Sequence, residues 1–192
     1  SVVSLAKQYI KRQYQKPGNV YLGIFSRLDA ATTGVVLLAR TSKAAGRLSE
    51  QFRRRTVQKT YWALTSGMIE PVSTELVDWV AKDELRQRMV ISSPADPAAK
   101  EARLKYRRLR VVGRGSLVEV ELQTGRKHQI RLQLAARGYP LWGERKYTSG
   151  LPFAAGIALH ARRLVVEHPI RRQPLELLAP LPPAWRALGI RD

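Results

Sequence analysis

Asp29 is the acidic residue whose position in the sequence best suits chemistry. It follows a short apolar run, Val20 to Phe25, which predicts a strand, and it precedes the polar turn sequence at 32–34. Loops at strand ends hold side chains on a rigid frame, so an aspartate there could act as a nucleophile or a base. The spacing alone is more typical of a turn-forming aspartate, whose carboxylate bonds its own backbone.

A basic segment further along the chain could supply a partner for this carboxylate. The pattern predicts a helix over about 127–137, on which His128 and Arg131 share a face because they are three residues apart. Arg131 would emerge beside a buried apolar stripe, where a guanidinium favours a carboxylate, and Asp29 is the expected partner. The alternative interpretation is a solvated basic helix face.

A third candidate is a tyrosine in a predicted strand at 57–64, which is rich in β-branched and aromatic residues. Successive side chains of a strand point to opposite faces, so Lys59 and Tyr61 share a face and Trp62 lies on the other. Tyr61 could then line a cleft while Trp62 packs inward. Simple packing is the more common role for a strand tyrosine.

Taken in this order, these segments resemble the RluA-type family of RNA pseudouridine synthases. The family's arginine-leucine-aspartate followed by threonine-serine-glycine is matched by residues 27–34, and its strand lysine and tyrosine by Lys59 and Tyr61. Its threonine-glycine-arginine with histidine-glutamine-isoleucine-arginine is matched by residues 124–131. The segment 159–169 resembles the family's C-terminal strands, so the resemblance extends from about residue 20 to the end of the chain.

The resemblance implies a role for each matched residue. Asp29 would be the essential aspartate, Tyr61 the tyrosine that stacks on the target base, and Arg131 the arginine that pairs with the aspartate. Arg27 would fill the space left by the flipped nucleotide. The full set of implied substrate-binding residues is Arg27, Thr32, Lys59, Arg126, His128 and Gln129.

The sequence departs from the family pattern at a few positions. Ser26 and Gln133 stand where many members have histidine, and Glu144 stands where an aspartate is frequent. The family's usual N-terminal stretch is largely missing from this sequence, as is the small RNA-binding domain that many members carry. We therefore expect residues 1–192 to form a single catalytic domain, from either a short variant or a truncated chain.

Charge is the strongest compositional signal. Lysine and arginine total 34 against 15 aspartates and glutamates, a net charge of +19, which indicates a polyanionic partner. RNA, DNA and anionic membrane are the candidates, and membrane is the weakest because no single basic amphipathic helix dominates. The chain has no cysteine, and its three histidines are too scattered to predict a zinc site by spacing.

The predicted elements favour an α+β fold. Strands outnumber helices, and most neighbouring strands are close enough to form hairpins, so we expect a mixed, largely antiparallel β-sheet with flanking helices. Helices are predicted at about 2–15, 43–54 and 127–137, with a short one near the C-terminus. Strands are predicted at 20–25, 35–39, 57–64, 75–80, 87–92, 101–111, 116–122, 157–159, 162–167 and 174–178.

The combined interpretation is an RNA pseudouridine synthase that isomerises a uridine in structured RNA, either rRNA or tRNA. It needs no metal, nucleotide or redox cofactor, and we expect a cytoplasmic monomer without membrane contact. The first alternative is a non-catalytic RNA-binding protein that retains the fold. A DNA-binding or architectural protein would explain the charge but none of the three motifs.

Overall fold

The computed structural model describes residues 1–25 and 27–191. Contacts between Cα atoms divide the chain into two compact units. The first unit comprises Ser1–Arg27, Val36–Val57 and Val166–Leu175. The second comprises Leu28–Val35, Gln58–Val165 and Glu176–Asp192. The expectation of a single domain stays a prediction.

Two helices dominate the first unit. Helix α1 spans Val2–Gln13 and α2 spans Ser42–Arg53, close to the predicted bounds. The Thr41 hydroxyl caps α2 by accepting a hydrogen bond from the Ala44 backbone N–H, which would otherwise have no intrahelical partner. Neither helix, nor any other in the described residues, is long and apolar enough to cross a membrane.

The strands predicted at 20–25 and 35–39 are much shorter than expected. Strand β1 is only Gly23–Ile24, and it pairs antiparallel with β3, Leu38–Ala39. Between them in the chain lies β2, Thr33–Gly34, which belongs to the second unit. The apolar run from Gly34 to Ala39 therefore does not form one strand: its first residue belongs to β2 and its last two belong to β3.

A large sheet forms the body of the second unit. The strand order is β10-β9-β4-β8-β7-β5-β6. The pairings β9-β4, β4-β8, β8-β7, β7-β5 and β5-β6 are antiparallel, and β2 joins β9 in parallel. This confirms the prediction of a mixed, largely antiparallel sheet. The strands are β4 Gln58–Ser66, β5 Ser73–Asp83, β6 Arg88–Ser92, β7 Lys100–Val112, β8 Gly115–Leu122, β9 Leu159–Glu167 and β10 Pro174–Leu178.

Apolar side chains cover this sheet on both faces. On β4, Tyr61 and Ala63 contribute to one core cluster, while Trp62 and Leu64 contribute to the other, as the strand alternation predicts. Helix α3, Gln129–Ala135, packs on the Tyr61 face through its apolar residues. The short α4, Pro183–Arg186, adds Trp185 to the opposite cluster. The flanking helices of the predicted fold class are therefore present.

Helix α3 begins later than the sequence predicts. His128 has φ 55° and ψ 23°, the left-handed conformation, and the helix starts at Gln129. The Gln129 side-chain oxygen accepts hydrogen bonds from the Thr124 hydroxyl at 2.8 Å and the Arg126 backbone N–H at 2.9 Å, which fixes the preceding turn. The prediction that His128 and Arg131 share a helical face is therefore wrong.

Candidate active site

A turn followed by a two-residue strand holds Asp29 in the second unit. The backbone N–H of Thr32 donates to the Asp29 carbonyl at 2.8 Å, so Asp29 does open a turn. Thr33 and Gly34 then pair in parallel with β9 at His160 and Ala161. Asp29 therefore lies immediately before a segment that is fixed to the sheet.

Gly34 makes this pairing possible. Its φ is +122°, and a Cβ atom added there would lie 2.3 Å from the Ala161 carbonyl oxygen. Any other residue would meet both a strained backbone and a clash with main chain. Beside it, the Thr33 hydroxyl lies 2.7 Å from Nδ1 of His160, an imidazole that is 1% exposed. A strand glycine and a buried histidine thus anchor the segment that follows the aspartate.

Arg131 emerges from α3 and reaches two carboxylates. Its Nη1 lies 3.4 Å from Asp29 Oδ2, while its Nε and Nη2 donate to the two oxygens of Glu144 at 2.7 and 2.9 Å. The second contact is bidentate and shorter, so Glu144 is the principal partner and Asp29 the outer one. Burial alone would raise the pKa of Glu144, but the Arg131 hydrogen bonds and backbone N–H groups hold the pKa below its ordinary value.

His128 approaches the other oxygen of Asp29. Its Nε2 lies 3.6 Å from Asp29 Oδ1, and its Nδ1 lies 2.7 Å from the Tyr147 hydroxyl. Burial lowers the pKa of His128 below its ordinary 6.5, and the positive charge of Arg131 adds to that effect against the opposing charge of Asp29. The imidazole is therefore mainly neutral at neutral pH, and nitrogen atoms of two different side chains face the two carboxylate oxygens.

Tyr61 is a protonated phenol near this carboxylate. Burial and the negative charge of Asp29 raise the pKa of Tyr61 to about 12. The ring packs at the edge of the cluster formed with Ala63 and Ile130. A phenol with this pKa does not act as a base at neutral pH, so what it can offer is its aromatic face.

Several other predicted binding residues hold the loop before α3. Lys59 Nζ donates to the Thr124 carbonyl at 3.3 Å, and Arg126 Nε donates to the Glu101 carbonyl at 2.8 Å. Gln129 is 3% exposed, and its amide is bonded within the protein. These contacts shape the loop that carries His128, and substrate contacts by Lys59, Arg126 and Gln129 stay predictions.

Two further residues of the first motif, Thr32 and Arg27, belong to different units. The Thr32 hydroxyl oxygen is buried and has no hydrogen-bond partner among the described residues. Arg27 is exposed and belongs to the first unit. Their predicted contacts with substrate stay predictions, and Ser26, which stands where many members of the resembling family have histidine, lies outside the described residues.

Sequence reasoning did not assign Glu144 or Tyr147 to the site. Both lie in the loop that follows α3, and neither is placed near Asp29 by helical or strand spacing. Glu144 was noted only as a departure from a frequent aspartate. An acid whose side chain is 0% exposed needs a cationic partner, but that burial is visible only in the folded chain.

Part of the basic charge is already neutralised by neighbouring acids. Arg107 pairs with Glu119 at 2.9 Å, and Arg108 pairs with Glu70 at 2.7 Å. Within residues 1–25 and 27–191 there is no group of three or more His, Cys, Asp or Glu side chains that could hold a metal ion.

Known proteins resemble this chain over most of its length. The model of the RNA pseudouridylate synthase family matches residues 2–136. An uncharacterised RNA pseudouridine synthase of Synechocystis sp. is 34% identical over 173 residues, which cover 86% of this chain and 52% of that protein. Ribosomal large subunit pseudouridine synthase D of Nitrosomonas europaea is 36% identical, with 86% and 50% covered. tRNA pseudouridine synthase C of Salmonella typhi is 33% identical, with 83% and 68% covered.

A solved structure has the same fold. Human RNA pseudouridylate synthase domain containing 4 matches with a TM-score of 0.81 at 24% identity, covering 100% of this chain and 85% of that one. The chain spans about half the length of the first curated relatives that it matches. The family match over residues 2–136 and the ordered motifs around Asp29 agree: the chain belongs to the RluA-type family of RNA pseudouridine synthases.

Proposed function

We propose that this chain isomerises a uridine in structured RNA to pseudouridine, with Asp29 as the essential carboxylate. The observation that carries the proposal is the approach of Asp29 Oδ2 to Arg131 Nη1, at 3.4 Å, in a member of the pseudouridine synthase family. Tyr61 supports it, because its ring packs against the core cluster that includes Ile130 of α3, the helix that carries Arg131.

The reaction needs no co-reactant. The bond between uracil N1 and ribose C1′ breaks, the base turns, and a bond forms between C5 and C1′. The hydrogen on C5 is lost and one is gained at N1, so the product is an isomer of the substrate. A target in a helix must first be flipped out of the stack, which costs a few kcal/mol.

Asp29 supplies the reactive group in its ionised form. Attack at C1′, addition to uracil C6 and removal of a 2′ proton all require an anionic carboxylate. A guanidinium beside a carboxylate stabilises and orients the anion through a charge-assisted hydrogen bond. Arg131 provides that charge, and Glu144 holds the guanidinium in place from the other side.

Tyr61 and Arg27 would handle the flipped nucleotide. Stacking of a base on an aromatic ring contributes about 1–3 kcal/mol, enough to retain a detached uracil on Tyr61 while it turns. Arg27 would occupy the space that the nucleotide leaves and so offset part of the cost of flipping.

The substrate class follows from charge and from the relatives. A net charge of +19 suits a polyanion, and two relatives are named for ribosomal large subunit RNA and for tRNA. We propose rRNA or tRNA as the substrate, and a cytoplasmic monomer as the acting form.

The test is a direct measurement of product. The protein is incubated with cellular RNA that lacks pseudouridine, the RNA is digested to nucleosides, and pseudouridine is quantified by mass spectrometry. Asp29→Asn keeps the shape of the side chain and removes its charge, so we expect product formation to fall to background. Glu121→Gln, the same chemical change at an exposed position on β8, is the matched control and should retain activity.

Each outcome is decisive for the proposal. Activity that persists in Asp29→Asn would remove this carboxylate from the mechanism. A wild-type protein that binds these RNAs but forms no product from rRNA or tRNA would overturn the catalytic proposal in favour of the RNA-binding alternative.

A further inference from the structure

We propose that Tyr147 is a positioning residue: its hydroxyl fixes the tautomer of His128 that presents an Nε2–H to Asp29. The two residues lie in different segments, the turn before α3 and the loop after it, and they meet beside the carboxylate. This inference rests on the proposed function, because it assigns a supporting role at the same site.

The contact between Tyr147 and His128 has one consistent direction. Burial raises the pKa of Tyr147 to about 12, so its hydroxyl keeps its proton at neutral pH. The hydroxyl oxygen lies 2.7 Å from Nδ1 of His128, and Nε2 on the other side of the ring faces a carboxylate oxygen. Since that carboxylate can only accept, the consistent arrangement has the phenol donating its proton to Nδ1.

This direction determines the other side of the imidazole. A neutral histidine carries one proton, so an accepting Nδ1 leaves that proton on Nε2. Nε2 faces Asp29 Oδ1 at 3.6 Å, and an ionised carboxylate can only accept. The opposite tautomer would direct a lone pair at the carboxylate, which is unfavourable. The separation is longer than a hydrogen bond, so a small movement on substrate binding would complete the contact.

The loop after α3 supports both donors of Asp29. Glu144 binds Arg131, and the Glu144 oxygen Oε1 also accepts the backbone N–H groups of Lys146 at 2.8 Å and Tyr147 at 3.3 Å. The Tyr147 ring lies edge-on to the His128 ring, with centroids 5.7 Å apart. A single short segment therefore orients a donor toward each oxygen of the carboxylate.

The charged groups around His128 do not take over the role of the Tyr147 hydroxyl in selecting the tautomer. Asp29 raises its pKa, whereas Arg131, Lys146 and Lys127 lower it, so the net field leaves the ring neutral but does not choose its tautomer. In the resting protein, that choice depends on the two groups that face the two nitrogens. Tyr147 is the one that lies outside the three sequence motifs.

The first test reads the tautomer without any RNA. In the 192-residue chain labelled with ¹⁵N, the imidazole nitrogen shifts distinguish a protonated from an unprotonated Nδ1, and His128→Gln identifies the His128 signals among the three histidines. We expect Nε2–H in the wild type and a substantial shift toward Nδ1–H in Tyr147→Phe. Tyr106→Phe is the matched control, because it removes another phenol hydroxyl bonded within the same unit.

The second test measures catalysis. We expect Tyr147→Phe to lower kcat about tenfold or more with little change in KM, since it disturbs the orientation of Asp29 and not RNA contacts. In a His128→Gln background, whose amide can still donate but has no tautomers, adding Tyr147→Phe should change kcat less than about twofold. A Tyr147 that serves only in packing would lower kcat equally in both backgrounds.

The two tests separate this inference from the proposed function. An Nδ1–H tautomer in the wild type, or a tautomer unchanged by Tyr147→Phe, overturns the inference even if the protein is an active synthase. The expected tautomer shift supports the hydrogen-bond assignment even if wild-type protein forms no pseudouridine, in which case the proposed function fails. An active Tyr147→Phe protein with wild-type kcat overturns the positioning role.

Discussion

At the scale of single residues, the site depends on an arginine between two carboxylates. Arg131 is 7% exposed and Glu144 is 1% exposed, so both charges are removed from water. Such a pair is tolerable because the bidentate contact and the backbone N–H groups at Glu144 satisfy the buried oxygens. Asp29, which is more exposed, receives the remaining guanidinium nitrogen.

The Asp29 and Arg131 pairing could be predicted from the sequence, but Glu144 could not. The pairing followed from a motif resemblance that joins two segments 102 residues apart. Glu144 follows Arg131 by 13 residues through the end of a helix and an irregular loop. No periodic rule relates side-chain directions across such a connection, so only the folded backbone brings the two together.

Removal of the Glu144 charge should destabilise the protein in a pH-dependent way. Glu144→Gln leaves Arg131 without its main buried partner, and breaking such a pair costs about 3–5 kcal/mol. The pKa of Glu144 is held below its ordinary 4.5, so its stabilising effect is present above that value and is lost as pH falls through the folded-state pKa. Urea unfolding of both proteins between pH 7 and 3 should therefore give a difference that shrinks in acid.

The matched control is Glu50→Gln, which removes a carboxylate from an exposed ion pair with Arg53 and Arg54 on α2. We expect little change in unfolding free energy there, because exposed pairs are screened by water. A Glu144→Gln protein as stable as the wild type at pH 7 would contradict the buried pairing.

At the scale of elements, the sequence predicted most of the long strands and the first two helices. It divided β9 into two strands, at 157–159 and 162–167, and it missed the pieces that place Asp29. Strand β2 has two residues, and it exists only because β9 lies beside it. Neither alternation nor β propensity can define so short a strand. The late start of α3 was missed for a related reason, since the left-handed backbone at His128 depends on tertiary contacts of the turn before it.

Gly34→Ala should disrupt both stability and catalysis. The added Cβ would lie 2.3 Å from the Ala161 carbonyl oxygen at a backbone φ of +122°, so β2 must move away from β9 and carry Asp29 with it. We expect a loss of more than about 2 kcal/mol in unfolding free energy and at least a tenfold lower kcat.

Gly46→Ala provides the control for this prediction. Gly46 lies within α2 with open space around its Cβ position, so alanine should stabilise the protein by about 0.5–1 kcal/mol. If Gly34→Ala behaved like Gly46→Ala in thermal unfolding and in kcat, the parallel pairing would not be what holds the aspartate.

At the scale of the whole molecule, the strand pattern was sufficient for the fold class, and the composition favours a polyanionic partner. The predicted strands outnumber the helices and lie close enough in sequence to form hairpins, which predicted the largely antiparallel sheet. Hairpin pairings such as β5 with β6 bear this out. The net charge of +19 indicated a polyanion. The distribution of that charge was not predictable, because ion pairs across β7 and β8 depend on strand register.

The register of β7 and β8 determines which basic residues are paired with acids and which stay available for phosphate contacts. Arg107 on β7 lies opposite Glu119 on β8 and binds it at 2.9 Å, so its charge is largely compensated. Lys127 and Arg145 are exposed. In the sequence, Lys127 precedes His128, which lies near Asp29, and Arg145 follows Glu144, which binds Arg131. If the chain acts on RNA as proposed, we expect these two cations to contact phosphates near the site and to offset the repulsion between the phosphates and the carboxylate.

The salt dependence of RNA binding should distinguish the exposed Lys127 and Arg145 from Arg107, which is paired with an acid. Each phosphate contact releases a counterion, so log K falls with log salt by about 0.7–0.9 for each contact. We expect Lys127→Gln with Arg145→Gln to weaken binding of a structured RNA and to reduce that slope by about 1.4–1.8 if each side chain contacts one phosphate. The control Arg107→Gln with Glu119→Gln leaves the net charge unchanged and should leave the slope unchanged. Equal slopes in all three proteins, measured by titration from low to moderate salt, would show that the RNA backbone is held elsewhere.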